Sequence, residues 1–494
     1  MGGDGGAASG WRVSRMNTAT LQFLGFAAVA AGLFNLNSSI GWRQVTLAIA
    51  NLLFLATFAT SPGAFLPLLG FLALGYLGIQ VAGKVDASLL FWAVVLLLIT
   101  AFVWLKKYAF LPSHSYLQFT YLTVGLSYIL FRVLHVMIDS HSGNLSGKIT
   151  LISYLNYTLS FMTLVSGPIE RYEDFAATQL APVRPRLSIF SLGEGLHRVA
   201  VGFSKVAVLS WLCSLLQKEA IRALPGSGLF REKILIGAAI AVLYPLYLYF
   251  NFSGYTDMMI GIGRFFRFTL PENFDRPFAA DNIMNFWNRW HMTLTNWLKT
   301  YVFNPLLLAL MRRVTSPTWQ SFLVVPALFV TFFLIGLWHG QTTEFLMFGF
   351  LQGFGIAINQ LYRILLERRL GKGRFKTLNC NPVYVAISRG LTFTWFTFTL
   401  LWFWTSWQEI ERMFHVLSFR GFALSFLLIL LLSTALLSLS EVLRESLRGW
   451  RWNGSEVLDS RYSRTVFDTC MVLASLVVVV LLNAPAPEII YKAF

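Results

Sequence analysis

Long runs of Leu, Phe, Val and Ala alternate along this chain with short polar joints. A helix that crosses a bilayer needs about 20 apolar residues. Runs of that kind fall at 19–35, 43–60, 63–82, 87–105, 115–138, 197–217, 232–262, 319–338, 343–366, 383–405, 421–440 and 466–484. Two further stretches, 149–167 and 280–311, are interrupted and read as spans or as re-entrant helices. The pattern predicts an all-α, polytopic transmembrane helical bundle, with about 11 spans plus re-entrant or interfacial helices. No internal repeat and no long polar domain interrupts it.

Charge orients the spans. Basic residues collect in cytoplasmic loops. The run ERRLGKGRFK at 367–376 and the cluster Arg444, Arg448, Arg451, Arg461 and Arg464 both read as cytoplasmic, with two spans between them. The loop 183–198 and the pair Lys106–Lys107 read the same way, which leaves loop 406–420 and the tail 484–494 outside. Residues 1–18 begin Gly- and Ala-rich and read as a flexible N-terminus, with Arg12 and Arg15 ahead of the first span.

Composition supports a lipid-solvated protein. Of 494 residues, 56% are hydrophobic and 13% charged, against about 25% charged in a soluble domain. Mean hydropathy is +0.61. The net charge of +16 therefore reads as membrane topology and contact with anionic headgroups, with no nucleic acid partner. Cys213, Cys380 and Cys470 show neither CxxC spacing nor a nearby His, so no disulfide framework and no metal site is expected.

Three stretches break the apolar pattern. In Tyr249–Thr295, the polar residues Asn251, Ser253, Tyr255, Thr256 and Asp257 fall inside a span. A polar group in hydrocarbon is costly unless paired, so Asp257 is expected to face a cavity or a partner. Pro271 and Pro277 then break the helix, which is expected to resume over Phe286–Trp297. On that helix Trp287, His291, Thr295 and Leu298 would share one face, with Phe286, Trp290, Thr293 and Trp297 beside it. With Arg289, these aromatic rings suit an interfacial or re-entrant element. In the second stretch, Gly336–Gly340, two glycines flank Trp338 and His339 and allow close approach of a substrate or another backbone. The third, Val165–Phe175, carries Glu170 and Arg171 after a Gly–Pro stop. It reads either as a solvated loop or as a positioning loop at a cavity mouth.

Seven histidines invite comparison. His114, His141, His197 and His415 fall in or near expected loops, and His135 lies late in a span. His291 and His339 each follow a Trp in an apolar segment beside a helix break. Neutral imidazole tolerates burial and takes a proton near neutral pH, as a general base must. HExxH, GxSxG and GxxxxGK[ST] are all absent, which argues against zinc hydrolysis, a serine triad and a P-loop ATPase.

At these residues the chain resembles the membrane-bound O-acyltransferase family, in particular its bacterial alginate O-acetylation and teichoic-acid D-alanylation branch. The resemblance rests on Phe286, Trp287, Arg289, Trp290, His291, Thr293 and Leu294, and on Gly336 to Gly340. It extends to Phe250–Tyr255, Pro271–Asp275 and Ser166–Arg171, in order along the chain. It implies N-terminal transmembrane helices at 19–110, a catalytic core at 111–405 with a central tunnel, and C-terminal transmembrane helices at 406–494. It assigns His339 as catalytic base and His291 as the residue that positions or polarises the donor carbonyl. Trp338, Trp287, Arg289, Trp290, Asn251, Tyr255, Asp257, Glu170 and Arg171 would shape the cavity, with Arg289 meeting a donor phosphate or lipid headgroups.

The implied reaction moves a short acyl group, expected to be acetyl, from acyl-CoA or an acyl-carrier thioester. No cofactor would be tightly bound. The acceptor would be a hydroxyl of an extracytoplasmic polysaccharide or of an SGNH-type acyltransferase partner. D-alanyl transfer to teichoic acid-type polymers is the alternative within the branch, and the expected location is the inner or plasma membrane. On residue chemistry alone, a proton-coupled transporter also accounts for many spans, broken helices and buried histidines. A non-catalytic scaffold would not require both histidines.

Overall fold

The computed structural model describes residues 16–484 and 487, apart from 60, 83–87, 109, 146, 184–185, 449–450, 453–454 and 457–460. Residues 1–15, including Arg12 and Arg15, and the aromatic end 489–494 lie outside the described residues. The chain is all-α and polytopic, as its apolar runs predict. It forms two compact units, one from residues up to Ser188 with Ile262–Thr269, the other from Ile189–Gly261 and Leu270 onward.

The first unit contains α1 (Leu21–Asn35), α2 (Ile40–Ala56), α3 (Leu66–Ala82), α4 (Ser88–Leu105), α5 (Leu126–His141), α6 (Leu151–Thr158) and α7 (Tyr172–Gln179). Side-chain oxygens set several starts: Thr20, Ser39 and Thr150 each accept the backbone N–H three residues on. Helices α4 and α5 pack on α3, and α1 and α6 pack on α2. Phe23, Phe54, Phe161 and Phe266 interlock by edge and tilted contacts with centroids 5.7–6.2 Å apart.

The expected span 115–138 becomes helical only at Leu126, because Gly125 adopts φ 73° immediately before it. Helix α5 also buries Arg132, His135 and Asp139. Lys106, expected in a cytoplasmic loop, is buried behind the end of α4, and burial lowers its ammonium to about 8.

The second unit begins with α8 (Ile189–Ser204) and α9 (Trp211–Ala223), joined by a widened helical turn at Lys205–Ser210. The segment 183–198, expected as a loop, is thus already helical from Ile189. Helix α10 (Phe230–Phe265) runs into the first unit at its end. Then come α11 (Ile283–Trp287), α12 (Met292–Leu298), α13 (Asn304–Arg313), α14 (Pro317–Gln320), α15 (Val324–His339), α16 (Thr343–Asn379), α17 (Pro382–Thr399), α18 (Leu401–Trp404), α19 (Trp407–Arg448) and α20 (Arg461–Leu476). Two-residue strands, β1 (Arg451–Trp452) and β2 (Ser455–Glu456), pair antiparallel between α19 and α20.

Helix α15 packs along α16, α17 along α19, and α8 along α20. Gly371 (φ 77°) breaks α16 inside the basic run. Ser418 (φ 60°) breaks α19, so the expected loop 406–420 is mostly helix with a single kink.

Among the described residues, 8 helices are long and apolar enough to cross a membrane: Pro62–Ala82, Ser88–Leu105, Ile189–Gly226, Phe230–Phe265, Pro317–His339, Thr343–Asn379, Trp407–Leu447 and Ser463–Leu481. Helices α1 and α2 are apolar but shorter. At 1.5 Å per residue they reach roughly 25 Å, less than the hydrocarbon thickness of about 30 Å.

Candidate active site

The second unit brings His291 and His339 against one indole. The ring of Trp338 lies 6.2 Å from that of His291 and 4.6 Å from that of His339, centroid to centroid. All three side chains are buried. The 47 residues between the histidines in sequence do not separate them in the fold, because α12 and the end of α15 converge.

The expected continuous helix over Phe286–Trp297 does not form. The chain instead makes α11, turns through Asn288–His291, and restarts as α12. His291 itself adopts the left-handed conformation, φ 45° and ψ 51°. The Pro271–Asp275 segment accounts for the break. It runs antiparallel beside Arg289–Met292: Asp275 N–H donates to the Arg289 carbonyl, and Met292 N–H to that of Asn273. Phe274 faces Trp290 in a single bridge, their rings 5.2 Å apart and perpendicular. Backbone pairing across the break thus replaces the helical hydrogen bonds lost there.

Asn273 fixes the result. Its buried Oδ1 accepts from Thr293 N–H at 3.1 Å and Thr293 Oγ1 at 2.9 Å. An oxygen receiving two donors is an acceptor toward the imidazole as well. The contact of 3.2 Å to His291 Nδ1 therefore assigns the proton to Nδ1 and leaves Nε2 an acceptor. Phe252 braces the ring edge-on at 4.8 Å.

His339 ends α15 because Gly340 leaves the helix in an extended conformation. Phe403 and Phe348 enclose its imidazole at 4.9 and 5.8 Å. The glycines of this motif admit protein rather than substrate. A Cβ on Gly336 would stand 2.4 Å from Gly349 Cα, and one on Gly340 would enter the Phe345 ring. These contacts let α16 approach α15 closely enough to set His339.

The remaining expected residues divide. Trp287 is buried against Phe332 at 5.2 Å, and Trp290 stacks on Phe286 at 5.6 Å. Arg289 is half-buried and reaches Asn285 Oδ1 through Nε at 3.3 Å. Asn251 and Tyr255 are buried on α10, and Asn251 Nδ2 lies 3.5 Å from Ser210 Oγ. Asp257 has its partner in protein: Arg198 at 2.7 Å and Lys205 at 2.6 Å. Arg198 also binds Glu272 through two nitrogens, tying α8, α10 and the Pro271–Asp275 segment together. Lys205 opens the widened turn between α8 and α9, a distortion often found at functional sites.

Glu170 and Arg171 belong to the first unit. Glu170 is buried and Arg171 exposed ahead of α7. Burial raises the Glu170 carboxyl to about 8, with Arg132 opposing the shift. Beside it, His135 accepts the Tyr172 N–H at Nε2 and lies 3.2 Å from Asp139 at Nδ1. The other histidines placed in loops lie mainly on helices: His141 ends α5, His415 lies on α19, and His197 lies on α8, 2.6 Å from Asp468.

Reading the residues singly missed Asn273, Glu272, Arg198 and Lys205. The first two lie inside the Pro271–Asp275 motif and were readable as a group. The two cations carry no local signal, since only folding brings them to Asp257.

Known proteins resemble this chain over the region that holds both histidines. The membrane-bound O-acyltransferase family matches residues 79–401. The teichoic acid D-alanyltransferase of Bacillus subtilis (strain 168) is 30% identical over 241 residues, 48% of this chain and 58% of that protein. The probable alginate O-acetylase AlgI of Pseudomonas fluorescens is 32% identical over 246 residues, 48% of this chain and 45% of that protein. The peptidoglycan O-acetyltransferase of Helicobacter pylori (strain ATCC 700392 / 26695) is 32% identical over 217 residues, 43% and 38%. The chain spans about half the length of the curated relatives it matches. With the family match covering more than half of the sequence, and including both histidines, this chain belongs to the membrane-bound O-acyltransferase family.

Proposed function

We propose that the protein is a membrane O-acyltransferase that moves a short acyl group, most simply acetyl, from a cytoplasmic thioester to an extracytoplasmic hydroxyl in the cell envelope. The observation that carries this reading is the pair of buried imidazoles that both pack against Trp338. His339 takes the proton as the acceptor oxygen attacks the thioester carbonyl carbon. The C–O bond forms, the C–S bond breaks, and the departing thiolate recovers the proton.

His291 plays the second role. With its proton held on Nδ1 by Asn273, neutral His291 offers Nε2 as an acceptor. It orients an N–H or O–H of a substrate, whereas polarising a carbonyl from Nε2 would require the imidazolium. The donor is acyl-CoA or an acylated carrier protein. The acceptor is a polysaccharide hydroxyl or a partner acyltransferase at the outer face of the inner or plasma membrane.

D-alanyl transfer is the second reading, favoured by the similarity to D-alanyltransferases at 30% identity. Mass spectrometry of envelope polymers from cells with and without the gene, complemented by His339→Ala, separates the two. Loss of acetyl esters, unrescued by the variant, supports acetyl transfer with His339 as base. Loss of D-alanyl esters moves the protein to the second reading. No change in any ester removes both and restores the transporter.

A further inference from the structure

Away from the histidines, α16 and α17 enclose a cavity of about 720 Å³ within the second unit. Its apolar wall is formed by Phe354 and Ile358 on α16 with Ile387 and Leu391 on α17. All four are exposed, so the cavity opens sideways toward the lipid that solvates these helices. Its polar wall holds one cation, Arg363, and one anion, Asp281. Among the described residues neither makes a salt bridge, with the other or with any other side chain. Asp281 Oδ1 is held at 2.8 Å by the amides of Asn282 and Asn285, which fixes it without neutralising it.

Two more polar atoms in the same wall lack protein partners. The Asn359 Oδ1 acceptor and the Trp395 Nε1 donor are both buried and unsatisfied. Such atoms are costly in hydrocarbon unless a ligand completes them. An apolar slot open to the bilayer, with one charge of each sign and one spare acceptor and donor, matches a zwitterionic amphiphile.

We propose that this cavity is a binding site for an aminophospholipid of the phosphatidylethanolamine type. The phosphate sits at Arg363, where guanidinium matches phosphate geometry. The primary ammonium sits at Asp281, and one acyl chain lies along Ile358 and Leu391. Arg363 precedes the basic run 367–376 on α16, so the lipid belongs to the cytoplasmic leaflet. Asp281 in the wall disfavours a purely anionic headgroup. A choline headgroup has no N–H to give its carboxylate.

Native mass spectrometry of the full chain tests this, after reconstitution in nanodiscs with equal amounts of phosphatidylethanolamine, phosphatidylglycerol and phosphatidylcholine. The wild type should retain one phosphatidylethanolamine in preference to the other two. Asp281→Asn should erase the preference over phosphatidylglycerol, and Arg363→Gln should weaken retention of both roughly tenfold, the weight of one charge-assisted contact. Arg363→Lys should retain the lipid. Ser388→Trp, which fills the slot and removes neither charge, should expel it while the protein still elutes as a folded species. Equal retention of all three lipids by the wild type overturns the proposal. So does unchanged retention in both Asp281→Asn and Ser388→Trp.

Discussion

The imidazole of His291 donates through Nδ1 to the side-chain oxygen of Asn273, at 3.2 Å, at the break between α11 and α12. That oxygen also collects the N–H and O–H of Thr293. One buried amide therefore sets the tautomer of the candidate substrate-orienting histidine and caps the helix that begins beside it.

Asn273→Leu should cut acyl transfer to the level of His291→Ala. It should also cost roughly 1–3 kcal/mol of stability, since three donors lose their acceptor. Asn273→Asp keeps the acceptor and should keep most of the activity. Steady-state rates and melting temperatures for both variants decide this. Equal activity in the leucine and aspartate variants would show that the contact is structural only.

For His339, the expected loss concerns chemistry rather than binding. His339→Ala should lower kcat by about 10²–10⁴-fold, the range for losing a general base, with little change in KM for the acyl donor. A variant that raised KM alone would mean that His339 binds the donor and that another group takes the proton.

Gly336 is a packing requirement. In Gly336→Ala the new methyl would meet Gly349 Cα and the Phe345 carbonyl, both at 2.4 Å. Helices α15 and α16 would have to part, at about 1–3 kcal/mol. Because His339 lies less than one turn further on, activity should fall with stability. The paired change to Gly349 cannot relieve it, as that residue already lacks a side chain. Thermal unfolding in detergent measures the cost, and an unchanged melting temperature would contradict the close approach.

Asp257 bridges Arg198 and Lys205, and Glu272 supplies the second negative charge of the cluster. Asp257→Ala leaves Lys205 without its carboxylate beside the Arg198 cation and should destabilise the protein by a few kcal/mol. Adding Lys205→Met should recover part of that loss, because Arg198 retains Glu272. A double-mutant cycle reads the coupling. Strictly additive effects would mean that the ion pair contributes nothing.

Glu170 predicts a pH dependence. Its carboxyl is raised from 4.5 to about 8 by burial, so the folded state keeps a proton that the unfolded chain releases. The associated stability is fully present below about 4.5 and is lost as pH rises through about 8. Between pH 6 and 9 the melting temperature of the wild type should fall, and that of Glu170→Gln should fall less. Parallel curves would place the titration elsewhere.

The two histidine motifs were legible before folding, as were the apolar runs that become α3, α4, α8 to α10, α15, α16, α19 and α20. Each is a local property: a bilayer demands about 20 apolar residues in succession, and a Trp–His pair beside a glycine is visible in five letters. The ends were less legible. Gly125 and Ser418 break or delay helices through backbone conformations that composition does not announce.

The sequence by itself determined that this is a polytopic membrane protein of the O-acyltransferase family, with His291 and His339 as its chemical candidates. Only the tertiary structure decided that the helix between Phe286 and Trp297 is broken and that Asn273 holds the His291 proton. It alone set both imidazoles against Trp338 and answered Asp257 with Arg198 and Lys205. Hydrophobic periodicity is written residue by residue along the chain. A hydrogen bond or ion pair between distant segments exists only once packing has brought them within about 3 Å.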